Sequence, residues 1–238
     1  MHIFIIGATG RNGALILAEC LSREHTVTAL VRDPSSVVPQ QQQQHPNLTL
    51  VRGTPLSPAD VRKAMSTPPG APPDAVIVAL NIRRQSESPF AAIHPDTPPT
   101  LTHDAVSNVL QVLKEDHHHH SPGPRKVVIN SMQGSGVSNA SLNLPFRVLF
   151  QHTSMKYTVS DHDAVDALVR GKEGEGVNWV LVRPPMLTEG ESLPVKVYDD
   201  DGKGVRWLPR ITRKSVATFM VDAAEKPDWD RRAPVITN

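Results

Sequence analysis

The 238-residue chain carries 25 Lys and Arg against 24 Asp and Glu, a formal charge of +1, so neither nucleic acid nor an anionic membrane surface has an electrostatic claim on it. Hydrophobic residues make up 39%, yet no window approaches the roughly 20 consecutive apolar residues of a membrane span, and no basic lead or cleavage site accompanies the first apolar run. Cys20 is the single cysteine; it rules out an internal disulfide and a cysteine-rich zinc site and suits a reducing compartment, so the expectation is a soluble cytoplasmic protein with no metal, monomeric or weakly homodimeric.

In chain order, residues 2–6 form a β-branched apolar run, a glycine cluster follows, and Ala14, Leu15, Leu17, Ala18 and Leu21 recur at helical spacing. Strand, turn and helix are predicted. Apolar runs of strand length return at 26–31, 48–51, 75–80, 126–129 and 179–182, too continuous for strands with one wet face. Helical candidates lie between them at 57–65, with Ser57 as N-cap and Pro58 at the first helical position, and at 102–114, 160–170 and 214–224. Strands alternating with helices predict parallel βαβ units, hence an α/β, doubly wound parallel sheet in three αβα layers.

The 22 prolines, about twice the usual share of roughly 5%, fall in the connections. A Gln tract at 40–44 and a His tract at 117–120 read as solvated insertions, because consecutive histidines do not converge on one metal ion as spaced ligands do. Pro95, Pro98 and Pro99 mark a loop after the fourth strand, at the edge where an open parallel sheet takes ligands, and this loop is expected to help frame a substrate.

The strongest chemical signal is Gly7-Ala8-Thr9-Gly10-Arg11-Asn12-Gly13, directly after the first strand and opening the first helix. Glycines there allow a tight turn against a pyrophosphate, while free amides and the helix dipole stabilise its charge; the alternative is a packing turn. Its spacing is G-x-x-G-x-x-G rather than G-x-G-x-x-G. At the end of the second strand stand Arg32 and Asp33. A guanidinium pairs with a 2′-phosphate in a forked geometry, which favours NADP(H) over NAD(H); the alternative makes Asp33 the ribose ligand. Leu80 and Asn81 end the fourth strand and Asn130 and Ser131 the fifth, at the cofactor edge or as turn caps.

Residues 7–13, Leu30-Val31-Arg32-Asp33, residues 128–131, Val182-Arg183-Pro184-Pro185 and the passage from Pro209 to Ala217 together resemble the atypical short-chain dehydrogenase/reductase group with NmrA-like and NAD(P)H-binding domains, similar in layout to biliverdin reductase B, a flavin reductase. The resemblance implies a Rossmann-type NAD(P)-binding domain over 1–238, with a small substrate-binding region at about 184–212. It implies that Gly7, Thr9, Gly10, Arg11, Asn12 and Gly13 hold the pyrophosphate, Arg32 the 2′-phosphate and Thr54 the adenine region, where relatives usually carry aspartate. It places Ser131 beside the nicotinamide and Pro184 and Pro185 in the turn that closes over it.

The proton donor departs from the pattern. Short-chain dehydrogenases use Y-x-x-x-K, in which lysine lowers the tyrosine pKa; Tyr157 would need lysine at 161, and Asp161 stands there, followed by His162. His162 falls where relatives place lysine or histidine. The candidate catalytic residues are therefore Ser131, Tyr157 and His162, the last with a helix-start polar residue as its alternative. Phe90, Phe146, Phe150 and Trp207 are expected near the nicotinamide, lining a flat pocket or simply anchoring loops.

The reading is an NADPH-dependent reductase acting on a planar, conjugated, quinone-like or carbonyl small molecule. The tracts and proline-rich insertions resemble those of filamentous fungal proteins, which suggests secondary metabolism. The alternatives are an NmrA-like nucleotide sensor without turnover and a redox-neutral isomerase or cyclase on the same fold.

Overall fold

The computed structural model describes residues 1–37, 45–69, 72–86, 88–117 and 126–238. The Gln tract at 40–44, positions 118–120 of the His tract and the side chain at 117 lie outside the described residues.

The six apolar runs pair as β1 (His2–Ile6), β2 (Thr26–Val31), β3 (Leu48–Arg52), β4 (Ala75–Val78), β5 (Lys126–Asn130) and β6 (Asn178–Val182), all parallel, in the order β3-β2-β1-β4-β5-β6. The helices among the described residues are α1 (Arg11–Ser22), α2 (Pro58–Met65), α3 (Leu101–His117), α4 (Leu144–His152), α5 (Met155–Arg170) and α6 (Arg213–Glu225). This is the doubly wound sheet that the alternation predicted. Every residue of β1, β4 and β5 is buried, so these runs are apolar without alternation. Side chains on successive strand residues feed opposite cores. Ile3 and Ile5 pack with Leu17, Val216 and Met220 on the face covered by α1 and α6. Phe4 and Ile6 pack with Val61, Val109, Leu113 and Val165 on the face covered by α2, α3 and α5. Each such side chain, fully buried, contributes about 1.5–3 kcal/mol.

Ser57 caps α2, its Oγ accepting the Asp60 amide at 3.2 Å, with Pro58 in the first turn. Two helices differ from the expectation. The segment carrying Phe146 and Phe150 forms α4, capped by Asn143, whose Oδ1 accepts the Phe146 amide at 3.1 Å. Its nine residues, with Pro145 in the first turn, fall short of the window of roughly 11–18 residues over which helical periodicity is read. Helix α5 begins at Met155, five residues before the expected start at Ser160, and so takes in Tyr157.

Beyond β6 the short strands are β7 (Met186–Thr188), β8 (Lys196–Tyr198), β9 (Arg210–Thr212) and β10 (Val235–Thr237). β7 pairs with β9 and β8 with β10. The C-terminal segment runs parallel to β6: the Leu181 amide donates to the Arg232 carbonyl and the Arg183 amide to the Pro234 carbonyl, both at 3.0 Å. Among the described residues, no helix is long and apolar enough to cross a membrane.

Candidate functional site

β1 and β4 are neighbours although the chain leaves β1 for β2, and the crevice at such a reversal of strand order is where open α/β sheets take ligands. A cleft of about 560 Å³ opens there, walled by the glycine turn, the ends of β2, β3 and β5, the segment after β4, and Leu187 and Arg213 from the C-terminal part.

Two glycines shape its floor. Gly7 has φ +91°, and a Cβ on it would lie 2.5 Å from the Ala79 carbonyl oxygen; a Cβ on Gly13 would lie 1.9 Å from that of Gly7. The turn passes against β4, and α1 packs on the turn, only because both lack side chains. Gly10 caps α1 without a side-chain hydrogen bond, and no acidic residue stands in the first turn. The positive end of α1 is therefore left for an anion. Among the described residues, Arg11, Arg32, Arg83, Arg84 and Arg213 line the cleft against one carboxylate, Asp96. A chain of nearly zero net charge thus concentrates positive potential in one place.

At the end of β2, Arg32 faces the cleft, while Asp33 is committed to its own loop. The Asp33 carboxylate accepts the Ser35 amide at 3.0 Å and the Ser35 hydroxyl at 2.8 Å, capping the turn Pro34–Ser36. The Ser35 hydroxyl, then its amide, hold the Asp33 pKa below the ordinary carboxylate range. Thr54 lines the adjoining wall, its amide donating to Asp60 Oδ2 at 2.9 Å. A Cβ at Gly53 would come within 2.8 Å of Asp60, so the small residue lets α2 close up behind this loop. Asn130, 7% exposed, presents an Oδ1 with no hydrogen-bond partner among the described residues, a buried acceptor in the cleft wall that calls for a donor.

The loop after β4 folds back as a hairpin, with the Gln85 amide donating to the Ala92 carbonyl at 3.0 Å and that of His94 to the Arg83 carbonyl at 2.8 Å. Its tip is anchored where α5 begins: the Ser154 amide and hydroxyl donate to the Pro89 carbonyl at 3.0 and 2.7 Å, and Arg84 Nη1 donates to Met155 Sδ at 2.9 Å. The hairpin and the following residues Asp96, Thr97 and Pro98 close one side of the cleft.

Of the residues expected to hold a nucleotide, Gly7, Thr9, Gly10, Arg11, Asn12, Arg32, Thr54, Leu80, Asn81 and Asn130 line the cleft; Ala8, Gly13, Ser131, Pro184 and Pro185 stand outside its wall. Ala8 is buried and Gly13 lies beneath the turn. The Pro184 carbonyl accepts the Gln133 amide at 2.9 Å. Arg183 before it is fully buried, with Nη2 donating to Asp166 Oδ1 at 2.8 Å and Nη1 to the Asp200 carbonyl at 2.9 Å. The Arg-Pro-Pro passage thereby ties α5 to the C-terminal segment.

The three candidate proton-handling residues are not brought together, and none lines the cleft. Ser131 is buried, its amide donating to the Val182 carbonyl at 2.7 Å and its hydroxyl 3.2 Å from that of Ser135. Tyr157 is 43% exposed, with Lys156 Nζ 5.1 Å from its ring centre. His162 is buried, with Nδ1 unpartnered among the described residues; burial drives its pKa down to about 4, with Asp161 opposing the fall and Arg183 adding to it. It is neutral at physiological pH. Position 161, where a Tyr157-lysine pair needs lysine, serves a different purpose. The Asp161 carboxylate accepts the Thr102 amide at 3.0 Å and the His103 amide at 2.9 Å, capping α3. The aromatic residues expected around the site stand away from the cleft wall. Phe146 and Phe150 pack on each other along α4 with ring centres 6.2 Å apart, and Phe90 and Trp207 are largely exposed.

Sequence reasoning missed Leu187, the arginines of the hairpin and Arg213. Arg213 donates from Nη1 to Asn12 Oδ1 at 2.7 Å and from Nε to Glu189 Oε1 at 2.9 Å. Its sequence signals are its place directly after the α6 cap, Thr212, and its position within the Pro209–Ala217 passage that carries the family resemblance.

The architecture is shared with solved structures. A wide-type short-chain dehydrogenase/reductase from Veillonella parvula, in complex with NADP, aligns over 100% of this chain and 94% of its own with a TM-score of 0.72 and 16% identity. The oxidoreductase ylbE from Lactococcus lactis aligns over 100% and 91%, with a TM-score of 0.71 and 18% identity. ChuY, an anaerobillin reductase from Escherichia coli O157:H7, aligns over 100% and 97%, with a TM-score of 0.70 and 14% identity. At these identities the likeness is one of fold. The NAD(P)H-binding family profile matches residues 7–227, from the glycine turn to just past α6, and the protein belongs to that family.

Proposed function

We propose that the protein is a cytoplasmic NADPH-dependent reductase for a conjugated, quinone-like or carbonyl small molecule. The observation that carries the cofactor choice is at the end of β2, where Arg32 faces the cleft and the neighbouring carboxylate is taken up by Ser35. A guanidinium in that place forks onto a 2′-phosphate, whereas a ribose 2′-hydroxyl needs the carboxylate. The residues fit the rest of the nucleotide. The glycine turn and the N-terminus of α1 would hold the pyrophosphate, Thr54 and Pro55 would border the adenine, and Asn130 Oδ1 would accept a hydrogen bond from the nicotinamide carboxamide. When bound, NADPH supplies the hydride; the chain binds it, orients it and excludes water. The hairpin after β4 and Leu187, from the 184–212 region, would frame the acceptor.

With Tyr157 outside the cleft and His162 buried and neutral, neither of these two candidate acids reaches the acceptor. This favours acceptors whose reduction gives a delocalised anion that solvent can protonate, such as quinones, flavins and extended conjugated systems. The same observation supports the second reading, a nucleotide sensor without turnover. Absorbance at the reduced-nicotinamide band, followed with a panel of quinones, flavins and conjugated ketones, separates the two. Acceptor-dependent loss of NADPH is the expected result, and tight NADPH binding with no consumption across the panel would overturn the reductase in favour of a sensor or of redox-neutral catalysis.

A further inference from the structure

We propose that Arg213 positions the cofactor pyrophosphate, and that Glu189 is an internal anion that competes for it. The proposal rests on the nucleotide reading above and assigns to that site two residues from outside the glycine motif. Arg213 opens α6 and its side chain is 13% exposed, in the cleft wall beside Thr9, Gly10, Arg11 and Asn12. Its Nη1 donates to Asn12 Oδ1 at 2.7 Å. That bond fixes which way the Asn12 amide faces: the oxygen is engaged by Arg213, and Nδ2, unpartnered among the described residues, remains as a donor in the first turn of α1. An asparagine turned the other way would present its oxygen to the phosphates. Arg213 thus adds its own charge to the site and aims a neutral donor at the same anion.

Nε of Arg213 donates to Glu189 Oε1 at 2.9 Å, but the Glu189 side chain is 75% exposed. An ion pair with one partner so deep in water is weak. The doubly charged pyrophosphate, held at the same time by the amides of α1, displaces it. Glu189 belongs to a strap that is also fastened by Lys214, whose Nζ lies 2.7 Å from both carboxylate oxygens of Glu191. Release of Glu189 therefore leaves the strap attached.

The test is equilibrium binding of NADPH, NADH and 2′-AMP to wild type, R213Q, R213K and E189Q, with circular dichroism confirming the fold of each variant. R213Q is expected to weaken NADPH and NADH by the same factor, about tenfold, through loss of a charge-assisted contact, and to leave 2′-AMP, which has no pyrophosphate, unchanged. R213K keeps the charge without the fork and should recover part of the loss. E189Q should tighten both dinucleotides about twofold to threefold, an effect that disappears when Arg213 is also replaced. Folded R213Q that binds both dinucleotides as wild type does, or that loses 2′-AMP in parallel, overturns the role of Arg213. Wild type that binds neither dinucleotide overturns this proposal together with the function it rests on.

Discussion

At the glycine turn, residues flagged by spacing along the chain stand together in space; along the first turns of α5, residues equally close in sequence part company. Gly7, Gly10, Arg11 and Asn12 all face one cleft. Tyr157 is half in solvent, Asp161 caps a different helix, and His162 is sealed in the protein. The first site is built from backbone, whose path the glycines dictate. The second depends on which neighbour packs against each side of a helix, and a single sequence does not say that α3 presents two bare amides to position 161.

Replacing Gly13 by Ala strikes hardest at the backbone-built end. Its Cβ would meet the Gly7 carbonyl oxygen at 1.9 Å, and main chain has nowhere to retreat. A destabilisation of about 3 kcal/mol or more in urea unfolding is expected, with loss of nucleotide binding. Unchanged stability would mean that the turn is looser than its geometry implies.

His162 probes the helix-built end. The folded protein holds its imidazole near 4, below the ordinary 6.5, so between those values the unfolded chain binds a proton that the folded chain refuses. The stability that His162 confers is present above pH 6.5 and lost as pH falls towards 4. The shift corresponds to about 3 kcal/mol. Wild type should lose that much more stability than His162→Gln between pH 7 and 4. Parallel stability curves would place the imidazole in contact with water and restore it as a candidate proton donor.

Asp161→Asn removes the charge from two hydrogen bonds at the start of α3 and should cost about 2 kcal/mol, measured by thermal or urea unfolding. Tyr157→Phe is the mildest change, within about 0.5 kcal/mol in stability and without effect on NADPH consumption. A large loss of turnover in that variant would show that the start of α5 does reach the acceptor.

The layers were legible for a physical reason: a strand covered on both faces is apolar throughout, and β1, β4 and β5 read that way. Ser57 followed by Pro58 announced the start of α2. Helix α4 was not legible, because its nine residues, with Pro145 in the first turn, give too few turns for an apolar period to stand out. Arg213 reaches Asn12 across 201 positions of sequence, and no local pattern encodes that meeting. The positive cleft was hidden in the same way, since a net charge of +1 averages over arginines that only the fold gathers.

Arg32, with Asp33 turned away, is the proposed source of a preference for NADPH. Calorimetric titration of NADPH and NADH into wild type and Arg32→Ala tests it most directly. Tighter NADPH binding by the wild type is expected and, in the variant, a loss for NADPH of about 1.5 kcal/mol or more, with NADH little changed. Equal losses for both nucleotides, or a wild type that prefers NADH, would contradict it.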